Sequence, residues 1–145
     1  MIKGKQSLLF ETPPGIISSA SIVGKKEGDG PLGKYFDVIE EDPMIGKDNW
    51  EEAESQLQMR AVQMALDKAN LKPSDIRYLF SGDLLGQLIA TSFGMLDFKI
   101  PLFGLYGACS TAGESLSLAA MTVAAGYAKH CLAVTSSHFA KAKKQ

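Results

Sequence analysis

Several kinds of residue are scarce in this chain. Of its 145 residues only two are cysteine, Cys109 and Cys131, and they form no Cys-x-x-Cys pair. Such sparse thiols offer neither a disulfide framework nor a metal centre, and they suit a reducing cytosol. No metal site is expected, and no motif in the chain calls for a cofactor. Charge of one sign is also lacking: 15 Lys and Arg stand against 16 Asp and Glu, for a net charge of −1. Without a basic block there is no electrostatic footing for nucleic acid, and none is expected as a partner. The lysine cluster at residues 141–144 reads as a solvated tail. Long apolar runs are missing as well. The longest, residues 116–128, is broken by Ser117, Thr122 and Gly126. It falls short of the ~20 residues that a membrane span takes. Residues 1–6 are charged and no apolar run follows them, so neither a signal peptide nor a transmembrane segment is expected.

What is present describes a globular chain. Hydrophobic residues make up 46%, and seven Phe, four Tyr and one Trp rule out a disordered composition. The length suffices for one core and about one domain. Residues 6–10 and the β-branched run 16–23 read as strands. Residues 25–33 follow, with Gly28, Gly30 and Gly33 in G-x-G-x-x-G spacing. A phosphate loop needs a helix at once, and Pro31-Leu32-Gly33 does not start one, so a surface loop is expected. The acidic stretch 37–46, interrupted by Pro43 and Gly46, reads as a solvated loop rather than a metal site.

Residues 49–69 form the clearest helix. Asp48 is placed to cap it with Glu51 at the box position, and Trp50, Ala53, Leu57, Ala61, Met64, Ala65 and Ala69 make the apolar stripe. Asn70 and Pro73 close it. A strand at 77–81, broken by Gly82-Asp83, precedes a helix at 84–96; a strand at 102–106 and another at 131–136 flank a helix at 111–125. This last helix is apolar nearly all round, which predicts a central buried helix ended by Gly126. Thr111 and Glu114 have capping-box spacing at its start. Strands alternating with helices predict an α/β fold, a mostly parallel sheet with helices on both faces.

In such sheets ligands sit beyond the carboxyl ends of the strands. Three of those ends carry polar chemistry: Gly82-Asp83, Ala108-Cys109 and Ser136-Ser137-His138. Cys109 is either an inert core thiol or a reactive, ligand-facing one, and its strand-to-helix turn favours the second because helix N-termini stabilise anions. Cys131 lies in a strand and reads as core. His138 is a base or ligand donor, or else an exposed histidine near a terminus; His130 reads as surface. Asp83 caps the following helix or faces a pocket.

Gly107-Ala108-Cys109-Ser110-Thr111, set between a strand and an apolar helix, resembles the nucleophile turn of the thiolase and ketoacyl-synthase superfamily. Further stretches point to one branch. Glu27-Gly28-Asp29-Gly30-Pro31-Leu32-Gly33, Lys47-Asp48-Asn49-Trp50-Glu51, Ser81-Gly82-Asp83-Leu84-Leu85-Gly86-Gln87 and Thr135-Ser136-Ser137-His138 resemble the stage V sporulation protein AD family of endospore-forming bacteria.

The resemblance implies a thiolase-like half, with residues 1–145 as a single N-terminal domain whose second half is absent. It implies a sporulation component that binds dipicolinic acid, with or without calcium, for uptake into the forespore, and that is not catalytic. Asp83, Cys109, Ser110 and His138 are the implied ligand-binding residues, and Cys109 takes the nucleophile position. The implied partners are the other stage V sporulation A proteins at the spore membrane and a second copy in a homodimer. The implied location is cytoplasmic, peripheral to the spore inner membrane. In the superfamily's enzymes, the nucleophile's basic partners come from the second half. The alternatives are an acyltransferase of the ketoacyl-synthase or thiolase type with Cys109 carrying the acyl group, or a non-functional fragment.

Overall fold

The computed structural model describes residues 1–84 and 87–138. The lysine tail at 141–144 and Gly86 of the motif at 81–87 lie outside them. Strands β1 (Ile2–Lys3) and β2 (Ser7–Leu8) form a small antiparallel hairpin, turning at Gly4 with φ +69°. The strand expected at 16–23 shrinks to β3 (Ile22–Gly24), which runs parallel to β4 (Val38–Glu40). Residues 16–21 form no ladder, and Ile16 and Ile17 are exposed. This segment is tied to the long helix instead: Ser18 Oγ donates to the Ala65 carbonyl at 2.7 Å, and Lys68 Nζ to the Ser19 carbonyl at 2.8 Å.

The glycine loop holds a short helix, α1 (Lys25–Gly28), and a single 3-10 turn (Gly33–Tyr35) starts at its last glycine. A Cβ at Gly33 would lie 1.9 Å from the Gly28 carbonyl oxygen, so these glycines serve a close backbone crossing. The acidic stretch is tied up internally. Asp42 accepts from the Met44 and Gly46 amides, which lowers its pKa, and Glu40 pairs with Arg60. Asp37 accepts from Lys68 and from the Ser21 amide, and is likewise held below the usual carboxylate range, chiefly by Lys68.

Helix α2 (Trp50–Ala69) is where the spacing predicts it, shifted by one residue in its cap. Asn49, not Asp48, is the N-cap: its Oδ1 accepts from the Glu52 amide at 2.8 Å and its Nδ2 donates to Glu52 Oε1 at 2.8 Å. Asn70 closes the helix in the left-handed region at φ +52°. The buried face also differs from the expected stripe. Ala53 is buried, and so is the i, i+4 row Glu54, Gln58, Val62 and Leu66, whose first half is polar.

The main sheet has β5 (Tyr78–Asp83) in the centre, flanked by β6 (Leu102–Gly104) and β7 (Cys131–Ser136), in the order β6-β5-β7 and all parallel. Gly82-Asp83 does not break β5, because the pairs Gly82↔Thr135 and Asp83↔Ser136 extend the ladder to its end. Alternation assigns the two faces. Leu79 packs with Val62 and Leu66 of α2 and Met95 of α3 (Ile89–Met95). Gly82 lies on the other face, where a Cβ would meet Thr111 of α4 (Thr111–Ala124) at 2.9 Å. Both faces thus carry helices, as expected. β6 is shorter than expected and partly exposed at the sheet edge, and β7 matches its expected bounds.

Helix α4 corrects one expectation. It buries only Thr111 and Ser115, and Leu116 is 54% exposed. The sheet covers one side of the helix and leaves its outer apolar surface open in this chain. Its C-terminus does close at Gly126 (φ +79°), where Tyr127 N–H donates to the Thr122 carbonyl and Gly126 N–H to that of Val123.

Candidate functional site

The three strand ends lie at one end of the sheet, but their side chains part company. Asp83 ends β5 almost fully buried. Its Oδ2 accepts from the Thr91 amide at 3.1 Å and the Thr91 hydroxyl at 2.9 Å, and its Oδ1 from the Leu88 amide at 3.4 Å. Asp83 therefore caps the start of α3 from the neighbouring strand, because Leu88 at the N-cap position supplies no side-chain cap of its own.

His138 is buried rather than exposed. Its Nε2 lies 2.7 Å from the Pro43 carbonyl, and its ring packs on Trp50 at 4.7 Å between centroids. The Nε2–H tautomer satisfies that carbonyl and leaves Nδ1 as a buried acceptor with no partner among the described residues. Trp50 belongs to α2, so His138 lies with Asp83 on the α2–α3 side.

Cys109 lies on the opposite side and is exposed, in a single 3-10 turn (Ala108–Ser110) leading into α4. The sharp backbone turn is made by Ala108 at φ +47°, not by Gly107, whose φ is −100°. A left-handed alanine costs about 1 kcal/mol, and this one directly precedes the thiol. Ser110 occupies the N-cap of α4 without capping it. Its Oγ faces the Gly107 carbonyl at 2.8 Å and Glu114 Oε1 in a short hydrogen bond. The Thr111–Glu114 box is therefore not formed. Thr111 Oγ1 is instead buried, with no hydrogen-bond partner among the described residues.

The four candidate residues thus do not line one pocket. Asp83 and His138 are committed to buried contacts, while Cys109 and Ser110 face solvent. A groove of about 490 Å³ runs elsewhere, along β7 between α2 and α4, walled by Ala61, Ala65, Ala119, Val123 and Ala133; none of the four reaches it. A shallow depression beside α4, with Ser110, Glu114 and Met121, touches the Cys109 turn. Among the described residues, no group of three or more His, Cys, Asp and Glu is placed to hold a metal ion, and no helix is long and apolar enough to cross a membrane.

One cluster was not foreseen from the sequence. Gln58 Nε2 reaches Thr91 Oγ1 at 3.0 Å and Ser136 Oγ at 2.7 Å, and Ser136 Oγ donates to Glu54 Oε1 at 2.7 Å. With the Thr91–Asp83 bond, these contacts tie α2, α3, β5 and β7 together at the carboxyl end of the sheet. The signal was the Glu54-Gln58-Val62-Leu66 row, polar at its head but continuous with the core.

The two thiols differ in environment. Burial raises the pKa of the Cys131 thiol, opposed in part by the Tyr78 backbone N–H. A thiol that is both sheltered and harder to ionise reacts slowly. Alkylation of the native chain near neutral pH, read by peptide mass, is expected to label Cys109 first; earlier labelling of Cys131 would overturn the assignment.

The chain is 42% identical over 144 residues to the stage V sporulation protein AD of Bacillus subtilis (strain 168), an alignment covering 99% of this chain and 43% of that protein. The chain thus spans less than half the length of the curated relative it matches. Its fold is similar to that of the 3-oxoacyl-[acyl-carrier-protein] synthase III of Aquifex aeolicus VF5, with a TM-score of 0.52 and 24% identity over 61% of this chain and 30% of that one. This likeness gives the fold alone, a thiolase-like α/β arrangement. The family model described as Stage V sporulation protein AD (SpoVAD) matches residues 4–145, and the chain belongs to that family.

Proposed function

We propose that this chain contributes a ligand-binding surface, not a turnover site, to a sporulation protein that binds dipicolinic acid for its uptake into the forespore. The observation that carries this reading is the exposed Cys109 turn beside a shallow depression at the start of α4; both histidines of this chain are engaged elsewhere. His138 is buried on the α2 side against Trp50 and Pro43, and His130 Nδ1 lies 3.3 Å from the Asp75 carbonyl. Acyl transfer on a thiol needs a base within hydrogen-bond reach and an oxyanion site, whereas binding needs only presented donors. Dipicolinate is a flat ring with two carboxylates, which suits backbone N–H groups at a helix start and an apolar rim. The exposed Cys109-Ser110 turn opens onto the start of the fourteen-residue α4, and Met121 supplies apolar surface beside the depression.

In this reading residues 1–145 are one thiolase-like half, and the remaining length of the family completes the cleft. The protein works at the cytoplasmic face of the spore inner membrane, beside the other stage V sporulation A proteins, as a homodimer. The edge strand β7 and the open outer surface of α4 suit contacts with a second copy.

Calorimetry with dipicolinate, with and without calcium, tests the proposal. A shallow depression buries far less of a small ligand than a closed cleft does. Binding to the 145-residue chain is therefore expected to be weak, with a Kd of about 1 mM or above, and tighter in a chain of the relative's full length. Absence of binding in both would overturn the reading; tight binding by the short chain would place the whole site within it.

A further inference from the structure

We propose that Glu114 is a positioning residue that holds the Cys109 turn in shape; the inference rests on the reading of that turn as ligand-facing. Side chains in the first turns of a helix lean back toward its N-terminus, and Glu114 does so across the start of α4. Its Oε1 accepts the Ser110 hydroxyl, and the same hydroxyl faces the Gly107 carbonyl. The carboxylate also lies against the Gly107 backbone. A Cβ there would sit 2.3 Å from Oε1 and 2.6 Å from both Cδ and Oε2. Glu114 therefore touches both ends of the turn, with Cys109 between them.

The turn needs such support. Ala108 is left-handed at φ +47°, and Ser110 N–H donates to the Gly107 carbonyl at 2.9 Å to close the single turn. A strained non-glycine residue persists only where its surroundings over-determine it. In this turn they do so through Glu114. The glycine at 107 is explained by the same contact. Its φ of −100° is open to any residue, so what is required there is room for the carboxylate and not backbone freedom.

Three variants of the 145-residue chain test the role without any ligand, so the result stands apart from the dipicolinate experiment. Glu114→Ala removes the support. Glu114→Gln keeps shape and acceptor but removes the charge. Gly107→Ala displaces the carboxylate but keeps the charge. Amide hydrogen exchange at Ser110 is expected to quicken by about tenfold or more in Glu114→Ala and in Gly107→Ala, and to stay within about threefold in Glu114→Gln, with β5 amides unchanged. Cys109 alkylation is expected to separate Glu114→Ala from Glu114→Gln by about fivefold or more, although both lack the charge. Equal exchange and equal alkylation in those two variants would overturn the proposal. So would native exchange in Gly107→Ala.

Discussion

Replacing Gln58 with Leu is expected to cost about 2–4 kcal/mol of stability, out of a typical total of ~5–15 kcal/mol. Gln58 is almost fully buried and donates through one nitrogen to Thr91 Oγ1 and Ser136 Oγ. The leucine would fill similar volume, so the loss comes from polar groups left short of partners and not from a cavity. Those groups are coupled. Thr91 also serves Asp83, and Ser136 also serves Glu54. Two carboxylates thus depend on hydroxyls that Gln58 orients, and partly satisfied buried networks are costlier than apolar packing. Urea unfolding of the variant against the parent measures the loss; a change below about 0.5 kcal/mol would mean that the network contributes little.

Gly82→Ala is expected to be the more damaging single methyl group in the sheet, costing about 3 kcal/mol or more. The added Cβ would stand 2.1 Å from the Leu105 carbonyl oxygen and 2.9 Å from Thr111 Cγ2. The first obstacle is backbone, held by the bond from Leu105 N–H to the Ser81 carbonyl at 2.8 Å, and cannot swing away. Strand β6 and the start of α4 must both shift, so the Cys109 turn moves with them. Gly113→Ala is the matched control. It sits in α4 with nothing within 4 Å of the new methyl, and it is expected to leave stability unchanged or raise it by up to about 1 kcal/mol. Thermal melts of the two variants side by side separate crowding from helix propensity. Equal melting would contradict the packing described for Gly82.

The residues disclosed the fold more readily than the site. Helix α2 and strand β7 follow from apolar spacing and β-branched content, and the βαβ order implies the parallel sheet that β5, β6 and β7 form. Local signals misplaced what long-range contacts decide. Asp48 and Asn49 are both good caps, and only Asn49 faces the Glu52 amide. Gly82-Asp83 looks like a strand breaker, yet pairing with β7 carries the strand through it. Apolar spacing alone passes over Gln58, which is buried because hydroxyls on other elements meet it. Residues 16–21 have strand composition but reach α2 through Ser18 and Lys68 instead of a ladder. The site shows the same division. Motif spacing puts the Cys109 turn at the carboxyl end of the sheet, where the structure has it. It did not show that strand alternation sends Asp83 to the face opposite α4, nor that His138 turns inward onto Trp50.

Acyl transfer and ligand presentation differ most plainly in turnover. Purified chain incubated with acetyl-CoA, with free coenzyme A thiol counted over time, separates them. The account predicts at most one equivalent of thiol released per chain, through acylation of Cys109 alone, and none in Cys109→Ala. Continued release over many equivalents, abolished in Cys109→Ala, would contradict it and make Cys109 the nucleophile of an enzyme.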